Sequence, residues 1–303
     1  MRAGMIGLGR MGGNMARRLG RRGVSVCGFS RQAAARAEFA SERKVEVSNS
    51  IDGLLAALET PRVVWIMVPA GAATEENIQV LAQRLAPGEI VIDGGNAHYR
   101  DSQRRGRLLA DKGIGFVDAG VSGGIWGLEE GYGLMLGGAR EHIDAILPLI
   151  HALAPAPDRG WVHCGPPGTG HFVKMVHNGI EYGLMQAYAE GFALLAARPD
   201  FELPLGDVAQ AWCHGTVIRS WLLELIANVL RNEGSLRAVA AQVADSGEGR
   251  WTAQEAIELG IPIPVINAAL MTRFSSQGAG DFSARLLALL RNAFGGHTLP
   301  PRN

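Results

Sequence analysis

The sequence predicts an α/β protein in which a doubly wound parallel sheet is followed by an all-α region. In the first half, short apolar runs alternate with helical patterns, an order typical of parallel sheets that carry helices on both faces. A glycine motif joins the first apolar run to the first helical pattern. Beyond Gly170 long helical patterns dominate. At 303 residues the chain is long enough for two domains.

The first half contains five apolar runs that we predict to be strands, with helices between them. The predicted strands are residues 3–8, 24–29, 63–68, 90–93 and 115–119. The predicted helices are residues 11–22, 32–40, 51–58, 74–85 and 102–112. A hairpin-like pair of strands is expected around residues 133–137 and 161–164.

The second half is predicted to be helical. A Pro/Gly cluster at residues 165–170 marks the expected boundary between a domain of residues 1–167 and one of residues 168–303. The predicted helices are residues 171–186, 205–213, 217–231, 235–244, 252–259, 265–277 and 282–292. We expect the last nine residues, 295–303, to be an exposed tail.

Composition excludes several classes of partner. Lysine and arginine (29) balance aspartate and glutamate (29), so neither nucleic acid nor an anionic membrane is an expected partner. The cysteines Cys27, Cys164 and Cys213 are scattered without metal-ligand spacing, so we expect reduced thiols and no metal site. No secretory signal or apolar run of about 18 residues is visible, which predicts a soluble cytoplasmic protein.

The motif GLGRMG, residues 7–12, predicts a Rossmann-like dinucleotide site. Gly7 allows a tight turn, Gly9 lets the backbone approach a pyrophosphate, and Gly12 permits close packing of the helix. Taken alone the pattern is weak, but its position between a strand and a helix strengthens it. The predicted cofactor contacts also include Leu8, Arg10, Met11, Val68 and Asn96.

The end of the second predicted strand bears on the choice of cofactor. An NAD enzyme usually has an acidic residue there, which binds the ribose 2′-hydroxyl. This chain has Ser30 and Arg31 instead, and a guanidinium suits a 2′-phosphate. We therefore predict that NADP is preferred and that NAD is also usable. The alternative is that Arg31 starts the next helix and points to solvent.

The most informative stretch is HFVKMVHNGIEYGLMQ, residues 171–186. In a helix, Lys174, His177, Asn178 and Glu181 occupy positions i, i+3, i+4 and i+7 and share one face. A lysine and a glutamate two turns apart, with a histidine and an amide between them, are a candidate acid–base pair with substrate-orienting neighbours. The alternative is a solvated helix face, but the apolar surroundings of the stripe favour a buried one.

Three further segments carry candidate site residues. DGGN ends a predicted strand with Asn96, and VSGG offers the Ser122 hydroxyl with backbone N–H groups of Gly123 and Gly124 to a carboxylate. RNAFGGH supplies Arg291 and His297 close to the C-terminus.

Together with GHFVKMVHNGIEYG, these segments resemble the 6-phosphogluconate dehydrogenases, a branch of the β-hydroxyacid dehydrogenases. The resemblance covers nearly the whole chain, whose length is similar to that of the shorter form of the family. It implies oxidative decarboxylation of 6-phosphogluconate to ribulose 5-phosphate and carbon dioxide, with reduction of NADP or NAD. Residues 1–167 would then bind NADP, and residues 168–303 would serve substrate binding and oligomerisation.

The resemblance also implies a role for each matching residue. Lys174 would be the general base and Glu181 the acid that protonates the enediol carbon. A base must be partly neutral, and burial lowers the pKa of a lysine. The substrate hydroxyls would be held by Asn96, His177 and Asn178, its carboxylate by Ser122, Gly123 and Gly124, and its phosphate by Tyr182 and Arg273. Arg291 and His297 would reach a neighbouring subunit's site, which implies a homodimer or homotetramer.

One segment departs from the family pattern. In place of the lysine and threonine that aid phosphate binding in the long form, the loop DSGEGRW has Ser246 and Glu248. A glutamate that faced a phosphate dianion would repel it. Either Glu248 faces away and Arg250 helps, or the affinity for phosphate differs.

Two other functions remain open at this stage. Another β-hydroxyacid dehydrogenase, of the 3-hydroxyisobutyrate type, would keep the glycine motif, VSGG and the lysine without requiring FGGH or Glu181. A catalytically idle NADP-binding protein would not require Lys174 and Glu181, whose presence disfavours it.

Overall fold

The computed structural model describes residues 2–39, 41–198, 200–231, 236, 238–295 and 298. The chain divides into two compact units, Met1–Met175 and Val176–Asn303. The division falls within one long helix, which contributes residues to both units.

The first unit is built on a sheet whose strand order is β3-β2-β1-β4-β5-β6-β7-β8. The strands are β1 (Arg2–Ile6), β2 (Ser25–Phe29), β3 (Val45–Ser48), β4 (Val63–Ile66), β5 (Ile90–Asp93), β6 (Gly115–Ser122), β7 (Gly133–Gly138) and β8 (Trp161–Gly165). Strands β1 to β6 pair in parallel, whereas β7 runs antiparallel to β6. The predicted doubly wound α/β class is confirmed.

Helices cover both faces of this sheet. They are α1 (Arg10–Arg21), α2 (Ala33–Ala37), α3 (Ile51–Ala56), α4 (Ala72–Arg84), α5 (Tyr99–Ala110), α6 (Gly127–Glu130) and α7 (Arg140–Leu153). Successive residues of a strand point to opposite faces, so Trp65 of β4 joins one hydrophobic cluster with α1 and α7. Its neighbour Ile66 joins a second cluster with α3, α4 and α5. Burial on both faces explains why the strands are continuous apolar runs.

Two parts of the sheet differ from the prediction. Strand β3 was not predicted, because VEVS is short and carries a glutamate. The expected hairpin-like pair is wrong: β7 and β8 are parallel and are joined by α7, which the sequence pattern did not indicate. Pro148 lies within α7 and interrupts the pattern, yet five isoleucine and leucine side chains of this helix are buried in the core.

The second unit is helical, which confirms the all-α prediction. Its helices are the C-terminal part of α8 (Thr169–Ala196), then α9 (Leu205–Trp212), α10 (Trp221–Arg231), α11 (Glu248–Leu259), α12 (Pro264–Ser276) and α13 (Asp281–Gly295). Its hydrophobic clusters are small: one lies between α8, α9 and α10, and the other around Tyr182. None of the described helices is long and apolar enough to cross a membrane.

The helix predicted at residues 235–244 is wrong for residues 238–244. Residues 238–244 form turns and irregular backbone. Their backbone groups bind α12 and the residue after it instead: the Val243 N–H donates to Ser276 Oγ, and Gln277 and Arg273 donate to the carbonyls of Val243 and Ala244. Tertiary hydrogen bonds thus override the helical propensity of an alanine-rich segment.

Candidate active site

Two glycines of the GLGRMG loop occupy positions that exclude any side chain. Gly7 has a φ of +99°, and a Cβ there would lie 2.3 Å from the carbonyl oxygen of Met67. A Cβ at Gly12 would lie 2.0 Å from the carbonyl oxygen of Gly7. The first turn of α1 therefore packs directly on the ends of β1 and β4, as the motif predicts.

Gly9 is different, because a Cβ there would meet nothing within 4 Å. Gly9 is the N-cap of α1, and no described side chain caps this helix or places an acidic group in its first turn. The first N–H groups of α1 and its positive dipole end thus face open space beside Arg10, where an anion is stabilised. The loop fits the pyrophosphate of a dinucleotide.

Arg31 lies in the loop after β2 and not in a helix, since α2 begins at Ala33 and its N-cap is Gln32. Its side chain is exposed and lies 3.7 Å from Glu76, an ion pair that is weak in water. Ser30 is held in place because its hydroxyl accepts from the Gln32 N–H and its carbonyl accepts from Arg36. Of the alternative, the position at the helix start is wrong, whereas the expected exposure of Arg31 to solvent is confirmed.

The DGGN loop after β5 is held by a buried ion pair that the sequence pattern did not reveal. Asp93 is fully buried, accepts from Arg105 at 3.0 Å, and accepts from the Gly95 N–H at 3.2 Å. Arg105 also donates to Glu75, whose pKa is lowered to about 2, chiefly by a hydrogen bond from Arg104. Asn96 follows directly and is exposed.

The VSGG loop continues β6 beyond its predicted end, so that Ser122 is still a strand residue. Gly123 and Gly124 have φ values of +127° and +53°, conformations that favour glycine. A Cβ at Gly124 would meet nothing within 4 Å. The loop thus offers open backbone beside the half-buried Ser122.

The predicted residues of the first unit lie at one edge of the sheet. Gly7, Ser30, Val68, Asn96 and Ser122 lie at or directly after the carboxyl ends of β1, β2, β4, β5 and β6. These strands are neighbours in the order β2-β1-β4-β5-β6 and run in parallel. Ligands of doubly wound sheets bind at this edge.

The first turns of α8 pack on β6 and β7 at a distance that only glycine allows. A Cβ at Gly120 would lie 2.4 Å from the Cβ of Lys174, and one at Gly137 would lie 2.7 Å from the Gly170 nitrogen. A Cβ at Gly170 would lie 2.5 Å from the carbonyl oxygen of Met135. This close approach buries Lys174, whose exposed fraction is 8%.

Asp118 holds the start of α8 in this position. It is fully buried and accepts from the Gly168 N–H at 2.6 Å and the His171 N–H at 2.8 Å. Burial raises the pKa of this carboxyl, and the hydrogen bonds oppose that effect. The ring of His171 is tied to Ser102, with Nδ1 and Oγ 2.7 Å apart. Asp118 and His171 were not predicted, because Asp118 lies in the middle of β6 and the helix start that it holds is at least 50 residues farther along the chain.

In the second unit, α8 carries His177, Asn178 and Glu181. Nδ1 of His177 lies 3.2 Å from Oδ1 of Asn178 and 3.9 Å from Oε2 of Glu181. The side chains of His177 and Glu181 are each about two-fifths exposed, at 42% and 41%. These three residues therefore form a connected polar group that is partly exposed, so the expected burial of the polar face is confirmed only for Lys174.

The DSGEGRW loop brings further polar groups to α8. The hydroxyl of Tyr182 lies 3.3 Å from Ser246 Oγ and 3.4 Å from Asp245 Oδ1, and the guanidinium of Arg273 lies 3.5 Å from the centre of its ring. Burial raises the pKa of Asp245, but the hydrogen bond from the Gly247 N–H and the ion pair with Arg250 outweigh it and lower the pKa. Tyr182, Arg273 and Ser246 are thus together, with Arg250 close by.

Glu248 is buried and its carboxylate lies against Asn178. Its exposed fraction is 3%, and its Oε1 accepts from Nδ2 of Asn178 at 3.2 Å. Arg291 lies exposed on α13, and the structure does not bring it to the other described residues of this unit by any recorded hydrogen bond or ion pair. His297 lies outside the described residues.

Comparison with protein families matches both halves of the chain. Residues 2–165 match the NAD binding domain of 6-phosphogluconate dehydrogenase. Residues 170–281 match the 6-phosphogluconate dehydrogenase C-terminal domain.

Individual relatives give the same result. The chain is 43% identical to an NAD(+)-dependent, decarboxylating 6-phosphogluconate dehydrogenase of Haloferax volcanii, over 98% of both chains. It is 38% identical to an NADP(+)-dependent enzyme of Bacillus subtilis, of which it spans 61%. A solved 6-phosphogluconate dehydrogenase of Plasmodium falciparum superposes with a TM-score of 0.85 at 29% identity, over 100% of this chain and 67% of that one.

A 3-hydroxyisobutyrate dehydrogenase of Salmonella typhimurium shares the fold, with a TM-score of 0.74 at 23% identity. Its likeness concerns the fold alone, whereas the family matches extend from the glycine loop through α12. The resemblance inferred from the motifs is confirmed, and the chain belongs to the 6-phosphogluconate dehydrogenase family.

Proposed function

We propose that this protein catalyses the oxidative decarboxylation of 6-phosphogluconate to ribulose 5-phosphate and carbon dioxide, with reduction of NADP or NAD. The observation that carries the proposal is the full-length likeness to a decarboxylating 6-phosphogluconate dehydrogenase, combined with a buried Lys174 on a helix that also carries Glu181. Residues 1–167 act as the dinucleotide-binding domain, and residues 168–303 act in substrate binding and assembly.

The proposed reaction requires a base and then an acid. Lys174 takes the proton of the C3 hydroxyl as C3 loses a hydride. The bound dinucleotide, held by the loop of Gly7 to Gly12 with Ser30, Arg31, Val68 and Asn96, supplies the hydride acceptor. The 3-keto acid that results loses carbon dioxide without a metal, because its carbonyl accepts the electron pair. Glu181 then protonates the terminal carbon of the enediol.

The other site residues bind the substrate in this proposal. Asn96, His177 and Asn178 hold hydroxyl groups, and Ser122 with the backbone of Gly123 and Gly124 holds the carboxylate. Tyr182 and Arg273 bind the phosphate. Tyr182 contacts both Ser246 and Arg273, and Arg250 lies nearby, which supports this role because guanidinium groups and hydroxyls suit a phosphate.

Initial rates test the proposal. We expect turnover with 6-phosphogluconate and either dinucleotide, and none with 3-hydroxyisobutyrate. Turnover of the small acid alone would establish the other β-hydroxyacid class. Purified protein that binds a dinucleotide but turns over neither acid would be a binding protein instead.

Arg31 is the residue we expect to favour NADP. It is exposed just after β2, and its ion pair with Glu76 is long and solvated, so breaking that pair to bind a 2′-phosphate costs little. We expect Arg31→Asp to reduce kcat/KM for NADP by at least about tenfold and to raise the relative use of NAD. Arg43→Asp, an exposed change just before β3, is the comparison. If the ratio of kcat/KM for NADP to kcat/KM for NAD stayed the same in Arg31→Asp, Arg31 would not determine the cofactor preference.

We also propose that the protein is a homo-oligomer in the cytoplasm. The helix α13 exposes Phe282, Leu286, Leu287, Leu289 and Leu290, and Ile257 and Val265 on α11 and α12 are exposed as well. Apolar surface of this extent is typical of subunit interfaces. The three cysteines are free thiols, which is consistent with a reducing compartment.

Arg291 and His297 are proposed to complete the site of the neighbouring subunit. If so, Lys174→Met and Arg291→Ala chains that are each impaired should complement one another after they are unfolded and refolded together. Each mixed dimer has one site built from an intact helix α8 and an intact tail, so about a quarter of the sites become active. No gain over the unmixed variants would show that each chain completes its own site.

A further inference from the structure

Glu248 is a buried carboxylate next to Asn178, one of the residues that we propose to bind the substrate hydroxyls. It is the first residue of α11, where the helix dipole stabilises a negative charge, and Thr252 donates to its backbone carbonyl. Its Oε1 accepts from Nδ2 of Asn178 at 3.2 Å. Within the described residues Oε2 has no hydrogen-bond partner, so the Asn178 amide is the group that this carboxylate orients.

The carboxylate determines which way round the amide lies. A carboxylate can only accept hydrogen bonds, so Asn178 must turn its NH₂ group towards Glu248. Its Oδ1 is then directed to the other side, where Nδ1 of His177 lies 3.2 Å away. An amide turned over would set two oxygen atoms against each other at Glu248, which is repulsive.

The amide in turn determines the tautomer of His177. Nδ1 faces Oδ1 of Asn178 and, at 3.9 Å, Oε2 of Glu181, and both are acceptor oxygens. Nδ1 must therefore carry the proton, and the lone pair of the neutral imidazole is on Nε2. A histidine in this state can accept a hydrogen bond from a hydroxyl group through Nε2.

We infer that Glu248 is a positioning residue that acts through Asn178 to hold His177 in the Nδ1–H tautomer, so that Nε2 accepts a hydroxyl of a sugar acid. The inference rests on the proposed function for the identity of the substrate, but the tautomer itself is a property of the folded chain. Glu248 thus serves hydroxyl recognition and is not a phosphate ligand.

Proton–nitrogen correlation spectra of protein with isotope-labelled histidine test the tautomer directly. The His177 signals are assigned by their loss in His177→Gln. We expect the Nδ1–H pattern at neutral pH in the unchanged protein. An Nε2–H pattern, or a mixture, in that protein would overturn the inference, and this reading requires no variant at Glu248 to fold.

Glu248→Gln then tests the cause. A glutamine can donate as well as accept, so this contact no longer determines which way round the Asn178 amide lies, and the His177 signals should show both tautomers. Glu248→Asp keeps an acceptor-only group and should retain the Nδ1–H pattern. Glu258→Gln, an exposed change on the same helix, is the control. An unchanged spectrum in Glu248→Gln would contradict the inference.

Kinetics of the same variants connect the tautomer to the substrate. In Glu248→Gln we expect KM for 6-phosphogluconate to rise about tenfold and KM for the dinucleotide to stay the same. A rise in both, or in neither, would overturn the role in hydroxyl recognition. If the unchanged protein does not turn over 6-phosphogluconate, the proposed function fails, and the spectra still decide the role of Glu248 in setting the tautomer.

Discussion

Replacing Lys174 with methionine is expected to lower the rate of hydride transfer by about a thousandfold, with dinucleotide binding nearly intact. The chain has three lysines, and Lys44 and Lys112 are exposed whereas Lys174 is buried at 8% exposure. Lysines are rarely this buried, and a buried lysine packed against β6 suggests a chemical role. Methionine fills similar space with an apolar group, so the packing of α8 on β6 should survive.

The experiment separates chemistry from binding. Single-turnover formation of the reduced dinucleotide gives the rate of hydride transfer, and fluorescence titration gives the affinity for NADP. Lys112→Met, an exposed change after α5, is the matched control and should behave like the unchanged protein. If Lys174→Met lost hydride transfer and dinucleotide affinity to the same degree, the lysine would be structural rather than catalytic.

The fold could be predicted where local pattern and burial agree. Strands β1, β4 and β5 are continuous apolar runs because both faces of the sheet are covered, and the glycine motif indicates the turn between β1 and α1. The segment of residues 238–244 was mistaken for helix because its hydrogen-bond partners lie on and just after α12, about 30 residues farther along the chain. Such partners leave no trace in a local pattern.

In the candidate site, too, local features could be predicted and contacts between distant residues could not. The helix of residues 171–186 could be predicted, because its polar stripe is contained in a single element that the structure extends to 28 residues. The groups that hold this element could not, since Asp118 and Glu248 act on residues about 50 and 70 positions away in the sequence. The departure at Glu248 was visible in the sequence, but its contact with Asn178 was not.

Gly120 is the position where we expect the smallest change in the chain to have a large effect on the chemistry. In Gly120→Ala the new methyl group would lie 2.4 Å from the Cβ of Lys174 and 3.0 Å from the carbonyl oxygen of Gly170. The second of these is a backbone atom, so a rotation of the lysine cannot relieve the overlap and α8 must move away from β6. Overpacking of this kind costs about 1–3 kcal/mol of stability.

The displacement should reduce catalysis more than stability. A shift of the reacting group by about 1 Å costs on the order of a hundredfold in rate, so we expect kcat to fall by about that factor while KM for the dinucleotide changes little. The control is Gly191→Ala in α8, the helix that carries Lys174, because a Cβ at Gly191 would meet nothing within 4 Å. That change removes a flexible residue from a helix and should stabilise the protein by up to about 1 kcal/mol.

Thermal unfolding and initial rates of Gly120→Ala and Gly191→Ala together test whether the reaction depends on the position of Lys174. A Gly120→Ala protein that is less stable yet has an unchanged kcat would mean that the position of Lys174 over β6 is not what the reaction requires. A fall in kcat in Gly120→Ala, with Gly191→Ala unaffected, links the absence of one side chain in β6 to the placement of the proposed base. The reason is steric: a strand can bring a helix backbone this close only where it has no Cβ of its own.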